Sequence, residues 1–339
     1  MSVKPFIEFH PKEALIDRFN RRLNYLRISI TDRCNLRCIY CVPDGFFPKL
    51  PHDEILRYEE ILRIVKIAVR LGVTKVRVTG GEPLVRKGVY DFLEALGQTS
   101  GLSDISLTTN GVFLAHQIHR IQKAGIRRIN FSLDTLNREK YQRITGFDRF
   151  DAVWEGIRLA HESGFHPIKI NVVVIRGVND DELMDLARLS VDHPYFIRFI
   201  EYMPMGVHCM NMDQQMLAPE ILTKVETVDA LEPVFRTKND GPAERYRFKG
   251  AAGEIGLIRP ISHHFCQDCN RLRLTASGQL RVCLLSKIQV DLKGPMRDGA
   301  TDTELAQMMK EAVLRKPQDH GLSLRKASPV LDPMSAIGG

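Results

Sequence analysis

From residue 26 to about residue 203, short apolar runs alternate with segments whose apolar residues recur every three to four positions. The first kind predicts strands over 26–30, 75–79, 105–108, 128–133, 168–174 and 196–201. The second predicts helices over 58–71 and 89–96, one running to about 124, and others over 138–143, 152–162 and 181–189. In the first helix Ile61, Leu62, Val65, Ala68 and Val69 share a face, and Gly72 and Gly125 stand where helices should end. This alternation predicts an α/β fold with a parallel sheet wrapped by helices. About six βα units are present, fewer than the eight of a closed barrel. The expected architecture is an incomplete, open βα barrel over 26–215, preceded by a segment over 1–25. Beyond Met203-Pro204-Met205-Gly206 the alternation stops, and 216–339 predicts a smaller α+β domain closing the barrel mouth, with a late helix near 303–315.

The strands carry a second pattern. Strands covered by helices on both faces read as nearly continuous Val, Ile and Leu, but here polar residues recur with period two. Arg27 and Ser29 oppose Leu26, Ile28 and Ile30; Lys75, Arg77 and Thr79 oppose Val76 and Val78. Asn130, Ser132 and Asp134 follow the same rule, as do Lys169 and Asn171. A dry core does not hold so many charges unpaired, and few acidic residues fall in the same strands. The pattern predicts a wet, cationic cavity inside the barrel.

Composition narrows the ligand. The formal charge of +7, from 48 basic and 41 acidic residues, suits a polyanionic partner. No basic tail or helix face concentrates it, so a small phosphorylated ligand is expected rather than nucleic acid. The first ten residues lack an apolar targeting core, and no run is long and apolar enough to span a bilayer. A cytoplasmic chain with no membrane partner is the expectation, and seven cysteines there suggest metal or catalysis rather than disulfides. Cys209 stands apart from the other six and is expected to have no metal role.

Three cysteines, Cys34, Cys38 and Cys41, follow the first strand with C-x3-C-x2-C spacing. Three thiolates on one loop hold three corners of a [4Fe–4S] cluster and leave one iron open; zinc knuckles more often pair C-x2-C halves. Gly80-Gly81-Glu82-Pro83 follows the second strand, at the edge where barrel enzymes keep their active sites. Its two glycines let backbone come close to a ligand. Together the loop and this turn resemble the signature of the radical S-adenosylmethionine (SAM) superfamily. That resemblance implies a cluster whose open iron binds SAM, with Tyr40, Gly81, Ser132 and Met203 contacting the cofactor.

A second trio comprises Cys266 and Cys269, then Cys283 after thirteen residues. His263 and His264 just before it keep a Cys3His zinc site open. Between the cysteines, Arg271 and Arg273 alternate with Leu272 and Leu274, so both guanidinium groups share a face and suit a phosphate clamp. With the closing Gly338-Gly339 and the flanks Thr31-Asp32-Arg33 and Val42-Pro43, the chain resembles the GTP 3′,8-cyclase family of molybdenum cofactor biosynthesis. The resemblance runs from about residue 26 to the last.

It implies a lyase with two [4Fe–4S] clusters, the second held by Cys266, Cys269 and Cys283 and binding guanine. It further implies a 5′-deoxyadenosyl radical that takes the ribose 3′-hydrogen of GTP, after which C3′ attacks guanine C8. The product would be (8S)-3′,8-cyclo-7,8-dihydroguanosine 5′-triphosphate. No side chain is then a catalytic acid or base. Arg27, Arg77, Thr108, Lys169, Arg271 and Arg273 would hold GTP, with Lys75 and Arg198 as secondary candidates, and the terminal Gly-Gly would reach into the site. Implied partners are an electron donor and, downstream, cyclic pyranopterin monophosphate synthase; a homodimer is left open. The competing classes are a peptide-modifying radical SAM enzyme, a zinc-dependent nucleic-acid binder and an iron–sulfur sensor.

Overall fold

The computed structural model describes residues 14–42, 49–203, 212–235, 241–321 and 334–338; Pro43, Cys209 and Gly339 lie outside them. Six strands and their crossover helices come first: β1 (Tyr25–Ser29), α1 (Tyr58–Arg70), β2 (Lys75–Thr79), α2 (Val89–Gly97), β3 (Asp104–Thr109), α3 (Ile118–Lys123) and β4 (Arg128–Ser132). Then come α4 (Arg138–Thr145), α5 (Phe150–Glu162), β5 (Ile168–Val174), α6 (Leu183–Asp192) and β6 (Tyr195–Glu201). The predicted strands and helices are all present, with ends shifted by a few residues. Gly72, just past α1, has φ +90°, a left-handed turn that ends a helix without a Cβ clash.

The remainder of the chain contributes α7 (Ala218–Val225), β7 (Leu231–Pro233), β8 (Glu244–Phe248), β9 (Glu254–Ile258), β10 (Arg271–Leu274), β11 (Gln279–Arg281) and β12 (Gln289–Asp291). It ends in α8 (Lys293–Arg297), α9 (Asp302–Leu314) and α10 (Met334–Ile337). All twelve strands form one sheet, in the order β12-β11-β10-β1-β2-β3-β4-β5-β6-β9-β8-β7. Strand β10 pairs parallel with β1, and β9 pairs parallel with β6. The later part of the chain thus extends both edges of the barrel, which stays open between β12 and β7.

The outward faces of the strands form the core. Leu26, Ile28, Val76, Val78, Ile170 and Val172 have no solvent exposure and share one cluster with Ile61 and Val65 of α1, Leu93 of α2, Ile157 of α5 and Leu186 of α6. Each buried aliphatic side chain of this kind contributes about 1.5–3 kcal/mol, so the outward face holds the barrel together and the inward face is left for chemistry. Helix α9 opens with the signature Thr-x-x-Glu: the Glu304 backbone N–H donates to Thr301 Oγ1 and the Thr301 N–H to Glu304 Oε2. It docks on α1 through Asp302, which accepts from Arg63 and Arg70 at 2.8 and 2.5 Å. Among the described residues no helix is long and apolar enough to cross a membrane.

Candidate active site

The inward faces surround one cavity of about 960 Å³. Both cysteine trios line it, as do Tyr40, Gly81, Ser132 and Met203, and Arg27, Arg77, Thr108, Lys169, Arg271 and Arg273, together with Lys75 and Arg198. Strand alternation and the loops at the strand ends thus bring these residues to one cavity, whereas His263 does not line it and Gly339 lies outside the described residues.

Strand register sorts them into levels. Tyr25 lies opposite Arg271 on one side and Lys75 on the other. Two residues on, Arg27 lies between Arg273 and Arg77. Two further, Ser29 lies beside Thr79. At about 3.3 Å per residue these levels span roughly 13 Å. Cys34, Cys38 and Cys41 follow the C-terminal end of β1; Cys266 and Cys269 precede the N-terminal end of the parallel β10, and Cys283 follows the antiparallel β11. The trios thus sit at opposite ends of the strands, with arginines between them.

Like charges so close weaken one another. Burial and the neighbouring Arg273 and Arg77 hold Arg27 well below the usual arginine range. Burial, then Arg271, brings Arg273 down to about 10; burial, then Arg77, brings Arg198 down to about 9. Arg198 donates to Asn130 Oδ1 at 2.7 Å, Arg77 to Ser106 Oγ at 3.3 Å, and Arg128 pairs with Asp104. Among the described residues, buried Thr108 Oγ1 and Asn171 Oδ1 have no hydrogen-bond partner. A polyanion with hydroxyl groups suits this cavity, offering negative charge to crowded guanidiniums and partners to the two oxygens.

At the first trio the two glycines have a role that sequence did not supply. A Cβ on Gly81 would lie 2.4 Å from the Arg33 carbonyl oxygen, and one on Gly80 2.8 Å from that of Thr31. The close approach is to the backbone of the cysteine loop. Gly81 N–H donates to Thr31 O at 2.7 Å and Glu82 N–H to Arg33 O at 2.8 Å, so the turn braces the base of that loop. Its far side is held by α4, through Arg37 N–H to Thr145 O at 2.8 Å and Ile39 N–H to Ile144 O at 3.0 Å. The Tyr40 hydroxyl donates to Asp134 Oδ2 at 2.7 Å. Asp134 is pushed up to about 6 and Glu82 up to about 7, both by burial.

Burial pushes the Cys34 thiol up to about 11 and Cys41 up to about 12, the latter aided by the charges of Cys34 and Asp134. Cys34 Sγ accepts from Leu36 N–H at 3.4 Å and Asn110 Nδ2 at 3.9 Å.

The second trio is built differently. Arg21, from before β1, donates to Cys266 O at 2.7 Å, Gln318 O at 2.8 Å and Pro317 O at 2.5 Å, and is itself held by Asp17 at 2.6 Å. Burial pushes Cys266 up to about 11; for Cys269 burial is outweighed by Lys316 and Arg271, and its thiol is lowered. Among the described residues, the group of three ligand atoms within 4.8 Å of one another is His264, Cys266 and His320. Neither trio closes up that far, whereas ligands at about 2.3 Å from a tetrahedral zinc lie roughly 3.8 Å apart. Of the two histidines that kept a Cys3His set open, His264 joins Cys266 and His320 rather than the trio, and the wider trios suit cluster corners. Gly338 reaches the cavity at the level of Ser29 and Thr79: its carbonyl accepts from Arg273 Nη1 at 2.5 Å, and Ile337 packs with Leu285 near Met203 and Cys283.

Sequence reading missed Arg21, Lys316, Asn110 and His320. None lies in a local motif, and the first two act mainly through main-chain carbonyls.

Comparison with known proteins agrees with this geometry. Residues 28–190 match the radical SAM superfamily and residues 195–322 match a family described as Molybdenum Cofactor Synthesis C. The chain is 47% identical over 323 residues to the GTP 3′,8-cyclase of Moorella thermoacetica, covering 95% of this chain and 99% of that one. It is 48% identical over 325 residues to the GTP 3′,8-cyclase of Thermodesulfovibrio yellowstonii, with the same coverage. In fold it is similar to Streptococcus suis SuiB, with a TM-score of 0.60 at 14% identity over 90% of this chain and 69% of that one.

Proposed function

We propose that this chain, which belongs to the GTP 3′,8-cyclase family of radical SAM enzymes, holds GTP in the barrel cavity between its two cysteine trios. It acts at the first step of molybdenum cofactor biosynthesis and uses SAM and iron–sulfur chemistry. The observation that carries the binding proposal is the ladder of arginines in register across β10, β1 and β2, inside one cavity with a trio at each end.

Cys34, Cys38 and Cys41 would hold one [4Fe–4S] cluster, and Cys266, Cys269 and Cys283 a second. With SAM and an external electron, the first would supply radical chemistry for removal of the ribose 3′-hydrogen and closure of C3′ on guanine C8. The protein's own contribution is placement, because a free primary radical reacts with whatever lies nearest. Arg27, Arg77, Lys169, Arg271 and Arg273 would neutralise the triphosphate, and Thr108 Oγ1 gains the partner it lacks. Tyr40, tied to Asp134, together with Gly81, Ser132 and Met203 would fix SAM over the first trio. An external electron donor and cyclic pyranopterin monophosphate synthase, as the enzyme taking the product, complete the proposal.

The test is an anaerobic assay of reconstituted protein with a strong reductant, SAM and GTP, followed by mass spectrometry. Equal yields of 5′-deoxyadenosine and an isomer of GTP are expected. Deoxyadenosine with unchanged GTP would overturn the substrate.

A further inference from the structure

Lys316 lies just past α9 and is 3% exposed. Buried lysines are rare unless paired, yet among the described residues this one is paired with no carboxylate. Its three N–H bonds run to the Val282 carbonyl, to Arg271 O at 3.2 Å and to Cys269 Sγ at 3.6 Å, which uses all three donors of an ammonium. The two carbonyls belong to the two branches that carry Cys269 and Cys283, so one ammonium spans the second trio. A neutral donor would serve as a tether. A full charge against a ligand sulfur, in a place where water screens little, does more. At the first trio, among the described residues, the hydrogen-bond donors to Cys34 Sγ are neutral, Leu36 N–H and Asn110 Nδ2, and Arg37 acts on it without such a bond.

We propose that Lys316 is a positioning residue that makes the second iron–sulfur site easier to reduce than its cysteines alone would, through its ammonium against Cys269 Sγ. A fixed cation and an N–H···S contact both favour the state that has gained an electron, here one electron from an external low-potential donor. The inference rests on the reading that the second trio holds a cluster.

The experiment uses the full chain carrying Cys34→Ala, Cys38→Ala and Cys41→Ala, reconstituted anaerobically so that only the second site can hold iron. Iron and sulfide are counted, and the cluster is titrated with redox buffers and followed by electron paramagnetic resonance. Lys316→Gln keeps an N–H donor and removes the charge; its midpoint is expected to shift to more negative potential. Lys316→Arg keeps the charge and is expected to hold the unsubstituted midpoint. An unchanged midpoint in Lys316→Gln, an equal shift in Lys316→Arg, or loss of iron from Lys316→Gln alone would overturn the proposal, the last by making the lysine a tether. Absence of iron and sulfide from the Lys316-containing protein would instead remove the cluster reading of the second trio.

Discussion

The first cysteine trio is carried by a single loop braced against the neighbouring strand's turn, whereas the second is gathered from two loops and clamped by distant cations. Their electrical surroundings differ as well. Near the first lie the carboxyls of Glu82 and Asp134; around the second lie Lys316 and Arg271. Arg37 also faces Cys34 and Asp319 also faces Cys266, so the contrast rests on Cys269, which Lys316 and Arg271 lower while Cys34, Cys38, Cys41 and Cys266 are raised. The lesson is that ligand count alone does not define such a site, because the surrounding charges set how readily each one holds an electron.

The sharpest way to break this contrast is to remove one ligand from each trio. Cys34→Ala is expected to reduce 5′-deoxyadenosine formation to background, while Cys266→Ala leaves it measurable and abolishes GTP conversion. Mass spectrometry of both products decides, and loss of SAM cleavage in both variants would merge the two roles. Next in size is Arg271→Ala combined with Arg273→Ala. Each charge-assisted hydrogen bond contributes about 1.5–3 kcal/mol, so calorimetry should find GTP affinity weakened about 100-fold or more with SAM cleavage retained. Unchanged affinity would move the triphosphate away from β10.

A pH series sharpens the acidic half of the comparison. Folding raises the Glu82 carboxyl to about 7, so between about pH 4.5 and 7 the native chain keeps a proton that the unfolded chain has released. Its contribution to stability is therefore lost as pH rises through that window, by on the order of 2–3 kcal/mol. Glu60, lowered to about 2 by the Arg297 and Arg57 bonds that outweigh burial, works in the opposite sense at lower pH. The useful measurement is thus the difference in urea stability of cluster-free protein between wild type and Glu82→Gln at pH 5 and 7.5. A difference that does not change with pH would remove Glu82 from the field. The smallest effect is steric: Gly81→Ala should cost about 1–3 kcal/mol of stability and lower iron at the first trio while leaving the second filled.

The inward and outward faces of the strands were legible because alternation is a local property of the chain, and so were the cysteine spacings and Arg271-Leu272-Arg273. Which strand lies beside which was not. The same alternation in β10 suits any neighbour, and only the folded register sets Arg273 level with Arg27 and Arg77. Gly80 and Gly81 were recognised for the right property, freedom from a side chain, but the surface they approach is the cysteine loop. Lys316 and Arg21 were invisible for a plainer reason. The carbonyl groups they bond are carried by every residue, so sequence does not mark them, and Arg21's carboxylate partner Asp17 does not point to the second trio.

The two matched families meet between residues 190 and 195, but the sheet does not divide there, since β10 returns to lie against β1. Asn24 and Asn270, bonded side chain to side chain at the start of those two strands, are 246 positions apart. During synthesis at about 5–20 residues per second, the free edge of β1 therefore waits roughly 12–50 s for its neighbour. A ribosome-bound chain carrying only the first six strands presents two open edges, the kind of surface that recruits other chains. Production of this protein should thus depend on what shelters β1 in that interval, and expression of the N-terminal part alone should give aggregates.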